Sequence, residues 1–150
     1  MDAGFSSYAV GWAFNPAAQS MTPDRLLELA LKLGYRRLQI ADNCALHTFP
    51  PARRAALRAR ACNAGLQIEV GTRGLTAENL AIYLTFAAEF GSPILRIVID
   101  QNGYEPDHDA IVRLLRSNVP ALEQARVTLA VENHDRFKSR ELAQIISEVD

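Results

Sequence analysis

The sequence predicts an α/β fold with parallel strands, arranged as a (β/α) barrel of TIM type of which this chain supplies about five βα units. Three observations lead there. Apolar stretches centred near Val10, Ile40, Ile68, Ile97 and Leu129 recur about 30 residues apart, the length of one strand, helix and return. Helical patterns fill the intervals, so consecutive strands run parallel through right-handed crossovers. Three successive stretches then carry a polar second face. Gln67 and Glu69 oppose Leu66, Ile68 and Val70; Arg96 and Asp100 oppose Leu95, Ile97 and Ile99; Thr128, Glu132 and His134 oppose Val127, Leu129 and Val131. A strand between two helix layers reads as a continuous apolar run, and an unpaired charge placed there is costly. Charges on one face suit the mouth of a barrel better than a doubly wound sheet.

Each element has its own justification. Ser6 to Trp12 reads as the first strand, followed by a loop at Asn15-Pro16. Thr22-Pro23-Asp24 gives a cap, a proline at the first helical position and an acidic first turn, and Gly34 ends that helix. Arg37 to Ala41 is the second strand, ending in Asp42-Asn43. An Ala/Arg-rich helix from Ala52 to Ala64 closes at Gly65, and Leu66 to Val70 is the third strand, ending in Gly71-Thr72-Arg73-Gly74. Thr76 caps a helix running to Gly91, with Leu80, Leu84, Ala87 and Ala88 at helical spacing. Ile94 to Ile99 is the fourth strand, Asp107 to Gln124 a helix, Val127 onward the fifth strand, and Ser139 to Val149 the last helix.

At 150 residues the chain is long enough for one core and too short for two ordinary domains. A net charge of −1, from 16 basic and 17 acidic residues, gives no general attraction for a phosphate backbone, so no nucleic-acid partner is expected. Met1 to Gly4 lacks a basic region leading into an apolar core, and no apolar run approaches the ~18 residues that span a bilayer, so no membrane partner and a cytoplasmic location are expected. Cys44 and Cys62 have neither metal-site nor redox spacing and are expected as free thiols.

Chemistry concentrates at Val127 to Phe137, V-T-L-A-V-E-N-H-D-R-F, where an apolar strand runs into Glu132, Asn133, His134, Asp135 and Arg136. Around Glu132-Asn133-His134 the chain resembles the xylose-isomerase-like barrel superfamily, particularly its sugar phosphate isomerase/epimerase branch. L-Q-I-A-D-N from Leu38, E-V-G-T-R-G-L from Glu69 and L-R-I-V-I-D from Leu95 match in kind and order. The resemblance implies a sugar isomerase or epimerase that moves a proton beside a carbonyl. A divalent metal (Mn, Mg, Co or Zn) would sit at the barrel mouth, with Glu132 as first ligand and as acid/base. An Asp, a His and a second Glu from later strands have no counterparts here. The chain is therefore expected to be the N-terminal portion of one barrel domain, inactive alone and without a bound metal of its own, with a sugar or sugar phosphate as its partner. Two copies completing one another as a homodimer is the alternative. A non-catalytic binding module and a DNA-repair endonuclease on the same fold are the rival functions. The endonuclease branch resembles a multi-zinc site fed by histidines where Asp42-Asn43 and Gly71-Thr72 stand here.

The remaining candidates each carry a bland reading beside the sharp one. His134 either touches substrate and supports the carboxylate or makes a local loop hydrogen bond. Glu69 and Arg96 either touch substrate or form an ion pair inside the barrel. Trp12 either walls the sugar pocket or packs in the core or at the rim. His47 and His108 are expected in solvated loops, and Arg53, Arg54, Arg58 and Arg60 on a solvated helix face.

Overall fold

The computed structural model describes residues 3–14, 21–44 and 46–149. Among them five parallel strands, β1 (Gly4–Ser6), β2 (Arg37–Ile40), β3 (Gln67–Arg73), β4 (Ile94–Val98) and β5 (Thr128–Val131), form one sheet in the order β1-β2-β3-β4-β5. Five helices follow them: α1 (Pro23–Lys32), α2 (Pro51–Asn63), α3 (Ala77–Phe90), α4 (His108–Ala125) and α5 (Ser139–Ser147). Strand order decides between the two candidate architectures. A doubly wound sheet reverses direction at a switch point, whereas right-handed crossovers that always step the same way leave every helix on one face and curl the sheet toward a barrel.

Burial shows which face that is. Leu38, Ile40, Ile68, Val70, Leu95 and Ile97 are buried against Leu26, Leu27, Leu57, Leu80, Phe86, Ile111 and Leu115 from the helices. The alternate residues Gln39, Gln67, Glu69 and Arg96 remain half-exposed on the inner face. The register stacks that face in rows: Ser6, Gln39 and Glu69 in one, Gly71, Arg96 and Ala130 above it, and Arg73 beside Val98 at the C-terminal edge.

Caps stand where the side chains direct. Thr22, Thr76 and Asp107 accept from the backbone N–H of Arg25, Asn79 and Ala110, and Gly91 closes α3 at φ 64°. Arg53, Arg58 and Arg60 of α2 are exposed, as expected, and Arg53, Arg54 and Arg60 are also ion-paired to neighbouring helices. Arg53 and Arg60 meet Asp24 at 3.1 and 2.7 Å, Arg60 also reaches Glu28, and Arg54 meets Glu89 at 2.8 Å, lacing α1, α2 and α3 together.

Three expectations need correction. The first strand is Gly4–Ser6, not Ser6 to Trp12. Residues Ser7–Phe14 coil into 3₁₀ turns kinked at Val10, because the Ser7 hydroxyl donates to Asn43 Oδ1 (2.6 Å) and accepts from the Ala41 N–H (3.0 Å), drawing the chain out of the ladder. The loop at Asn15-Pro16 lies outside the described residues. β3 continues to Arg73 because Gly71 presents no side chain: a Cβ there would meet Arg96 Cδ at 3.2 Å. His108 opens α4 instead of lying in a loop, and its Nε2 meets Glu148 Oε2 at 2.9 Å.

That contact makes the docking of α5 pH-dependent. The hydrogen bond to Glu148 raises the His108 pKa, and the same bond, helped by Gln144, lowers that of Glu148. Asp107, Asp109 and Arg116 face the pair. His108 contributes stability below its ordinary 6.5 and loses it as pH rises through the raised value. Glu148 contributes above its ordinary 4.5 and loses it as pH falls through the lowered value. The protection of the α5 amides, after the intrinsic rise of exchange with pH is divided out, is therefore expected to be greatest between these two pH values, and His108→Gln should flatten the alkaline side. An unchanged profile in the variant would refute the pairing.

Candidate active site

The inner face of a parallel barrel becomes reactive where strands end, since side chains there project past the last ladder hydrogen bonds into the mouth. β5 ends at Val131, and the Glu132 N–H still donates to Ile97 O at 2.8 Å, fixing Glu132 one step beyond the strand on the inner face. Arg96, in the middle of β4, reaches up to it: its Nε donates a short hydrogen bond to Glu132 Oε2. The other side of the same guanidinium faces Asp42, with Nη1 3.6 Å from Oδ1, and the Tyr8 hydroxyl donates to Asp42 Oδ2 at 2.9 Å. Tyr8 also lies beneath the guanidinium, 5.4 Å from ring centroid to Cζ. The ends of β1, β2, β4 and β5 thus meet around Arg96.

The electrostatics follow from this geometry. The Arg96 hydrogen bond holds the Glu132 carboxyl below its ordinary value against the upward pull of partial burial. Burial alone would lower Arg96, but Glu132 and Asp42 outweigh it and keep the guanidinium charged. Burial and the bond to Asp42 push the Tyr8 phenol up, so it remains a neutral donor. Asp42 Oδ1, Asn43 Nδ2 and Arg96 Nη1 are buried without a hydrogen-bond partner. Two of these, Asp42 Oδ1 and Arg96 Nη1, are the atoms that face each other at 3.6 Å, so their attraction is electrostatic rather than a hydrogen bond.

A second group of side chains flanks this centre. Arg73 Nη2 lies 3.1 Å from His134 Nε2, and His134 Nδ1 lies 2.9 Å from Asp135 Oδ2. Arginine only donates, so Nε2 accepts and the proton sits on Nδ1, facing Asp135. Beyond them Arg136 grips Asp100 through two bonds of 2.9 and 2.6 Å and donates to Pro106 O. Arg73, Asp100, Gln101, Asn102, His134 and Arg136 line part of a cleft of about 520 Å³ at this mouth.

The expected site residues therefore separate. Glu132 and Arg96 come together, and His134 stands beside them through Arg73. The expected ion pair between Glu69 and Arg96 does not form. Glu69 sits one row lower, next to Gln39, and pairs with Arg37 at 3.3 Å. Trp12 lies in the 3₁₀ segment with 83% of its surface exposed. Sequence reasoning missed Arg73, Tyr8 and the role of Asp42, although Gly71-Thr72-Arg73-Gly74 was itself a signal: glycines on both sides of an arginine at a strand end. His47, at the end of the 3₁₀ turn Leu46–Thr48, meets the Tyr83 hydroxyl at 3.3 Å. Cys44 and Cys62 are free thiols, and burial pushes Cys44 up to about 12, too high for a nucleophile.

No protein-family model matches the chain. Among curated proteins it is 32% identical over 155 residues to the 3-oxo-isoapionate decarboxylase of Pectobacterium atrosepticum, covering 100% of this chain and 55% of that protein. Among solved structures it superimposes on D-psicose 3-epimerase crystallised with D-fructose, with a TM-score of 0.73 at 14% identity over 99% of this chain and 60% of that one. A xylose isomerase domain protein from Salmonella typhimurium LT2 gives 0.67 at 13% identity, covering 97% and 56%. The IOLI protein with a binding zinc atom gives 0.69 at 15%, covering 99% and 59%. The fold is xylose isomerase-like. The chain spans a little over half the length of each of these relatives. Among the described residues no helix is long and apolar enough to cross a membrane.

Whether these residues fit a divalent metal is a question of donors. Among the described residues no three of His, Cys, Asp and Glu converge on a point, and the Glu132 carboxylate is occupied by a guanidinium. A catalytic divalent ion wants several oxygen or nitrogen ligands. The donor set of the described residues does not fit one.

Proposed function

We propose that these residues form the N-terminal portion of an enzyme that acts on a sugar, sugar acid or sugar phosphate at the carbon beside a carbonyl, through an enediolate. The observation that carries this reading is the Arg96–Glu132 pair at the barrel mouth, with Asp42 and Tyr8 behind it. A carboxylate and a fixed cation side by side are the two groups such chemistry needs. The C–H bond breaks, the proton passes to Glu132, and the electron pair moves onto the carbonyl oxygen, where the Arg96 guanidinium stabilises the developing charge. Returning the proton from Glu132 to the former carbonyl carbon, while the proton of the adjacent hydroxyl passes to the former carbonyl oxygen, isomerises the substrate. Epimerisation takes a proton from a second acid on the opposite face, which Glu132 alone does not supply.

The names of the relatives support the same intermediate by two routes. An epimerase acting at position 3 of a ketose breaks a C–H bond next to the carbonyl. A decarboxylase of a 3-oxo acid breaks a C–C bond there, releasing carbon dioxide and leaving an enolate, the same kind of intermediate, to be protonated. Any divalent ion in the complete barrel would take its remaining ligands from outside these residues.

The test is solvent exchange. The full-length protein, incubated in deuterated water with a panel of ketoses and 3-oxo acids, is expected to incorporate deuterium at the carbon beside the carbonyl, read by mass spectrometry. No incorporation with any of them would overturn the enediolate reading.

A further inference from the structure

We propose that Arg73 is the seat for an oxyanion substituent of the substrate, a carboxylate or a phosphate, and that it selects acidic sugars over neutral ones. The inference rests on the enediolate reading above and adds the substrate class to it.

Arg73 closes β3 on the inner face, in the row that continues through Val98 of β4 to Glu132 beyond β5. Neighbouring strands lie about 4.8 Å apart, so the Arg73 and Glu132 backbones stand roughly 10 Å from each other. Both side chains lean over the same opening, and the charge of Arg73 is felt by both Tyr8 and Glu132. A substrate of a few carbons spans that interval, with its charged end on one group and its reacting carbon by the other.

Three features set this guanidinium apart. Its charge is uncompensated by direct contact: among the described residues it makes no ion pair, whereas the other two arginines at this mouth, Arg96 and Arg136, both do. Its orientation is fixed from the side, since Nη2 is held by a neutral acceptor, His134 Nε2, whose other nitrogen faces Asp135. A neutral acceptor aims the fork without quenching it. Its backbone is fastened as well. The Asn79 amide donates to Arg73 O at 2.9 Å, to Gly74 O at 2.7 Å and to Thr72 Oγ1 at 3.1 Å, and Gly74, at φ 90°, lets the Gln101 side chain lie where a Cβ would stand. A planar guanidinium with its remaining donors open to a cleft of about 520 Å³ matches the two-oxygen edge of a carboxylate or phosphate.

The experiment measures binding to the full-length protein by calorimetry with three probes: D-gluconate, D-ribose 5-phosphate and neutral D-sorbitol. At least one anionic probe is expected to bind about tenfold or more tightly than sorbitol, and the better of the two identifies the substituent. Arg73→Gln should bring that anion to within about threefold of sorbitol while leaving sorbitol itself unchanged, and Arg73→Lys, which keeps charge without the fork, should fall between. Thermal melts of both variants check folding, and the lysine variant carries the test if the glutamine variant is unfolded. Equal loss for all three probes, or an anion preference that survives Arg73→Gln, overturns the proposal. Deuterium exchange retained on neutral ketoses alongside such a result would leave the enediolate reading standing.

Discussion

Glu132→Gln in the full-length protein is expected to lower deuterium incorporation beside the substrate carbonyl by about 10³-fold, the scale on which a positioned general base contributes. The substitution keeps the shape of the side chain and leaves an amide oxygen for the Arg96 Nε–H, so the fold should hold and the loss should fall on the chemistry. The starting point sharpens the expectation. Arg96 keeps Glu132 ionised by lowering its pKa, which makes the carboxylate available throughout the neutral range but weakens it as a base. Productive exchange therefore requires Arg96 to share its donors with the substrate oxygen as the proton moves. Asp substitution, which retracts the carboxylate by one methylene, should retain part of the exchange. If Glu132→Gln exchanges at the wild-type rate, the base is another residue.

Arg96→Leu should be the most destabilising change at this mouth, by about 2–3 kcal/mol in urea denaturation at neutral pH. The Arg96 side chain is 12% exposed, between Asp42 at 26% and Glu132 at 39%. Removing the cation leaves two carboxylates facing one another across a leucine, with Asp42 Oδ1 already buried. Glu132 can turn to solvent, which keeps the loss below the roughly 3–5 kcal/mol of a fully enclosed pair. The sign of the pH dependence is fixed. Arg96 depresses the Glu132 pKa, so its stabilisation is present above the ordinary value of 4.5 and disappears as pH falls through the lowered one. The gap between variant and parent should therefore narrow in acid. Adding Asp42→Asn to the leucine variant should recover part of the loss; strict additivity would mean that Arg96 and Asp42 do not interact.

Much of the frame was legible in the residues because local chemistry set it. Thr22-Pro23-Asp24, Thr76 and Gly91 place helix ends by hydrogen bonds within one turn, and alternation in β3, β4 and β5 separates a helix-covered face from an open one. Glu132 and Arg96 were legible as inner-face residues for the same reason. The first strand was not, since Ser7 leaves the ladder for Asn43 and Ala41, partners more than thirty positions away that no local pattern reveals. Glu69 misled through the stagger of the sheet: strand alternation gives the face but not the height, and the register puts Glu69 one row below Arg96. Arg73 escaped notice because β3 runs three residues further than its apolar pattern does.

The consecutive strand order also bears on how the molecule is made. Every strand pairs with the one before it, and each pairing joins residues only roughly 25–35 positions apart. No rung of the sheet waits for a distant stretch of sequence. The sheet can therefore grow from its N-terminal end as the chain leaves the ribosome, each new strand-helix unit docking on a finished edge. Glu132 belongs to the last strand-helix unit in that order, and it meets Arg96 only after four earlier strands are already in place.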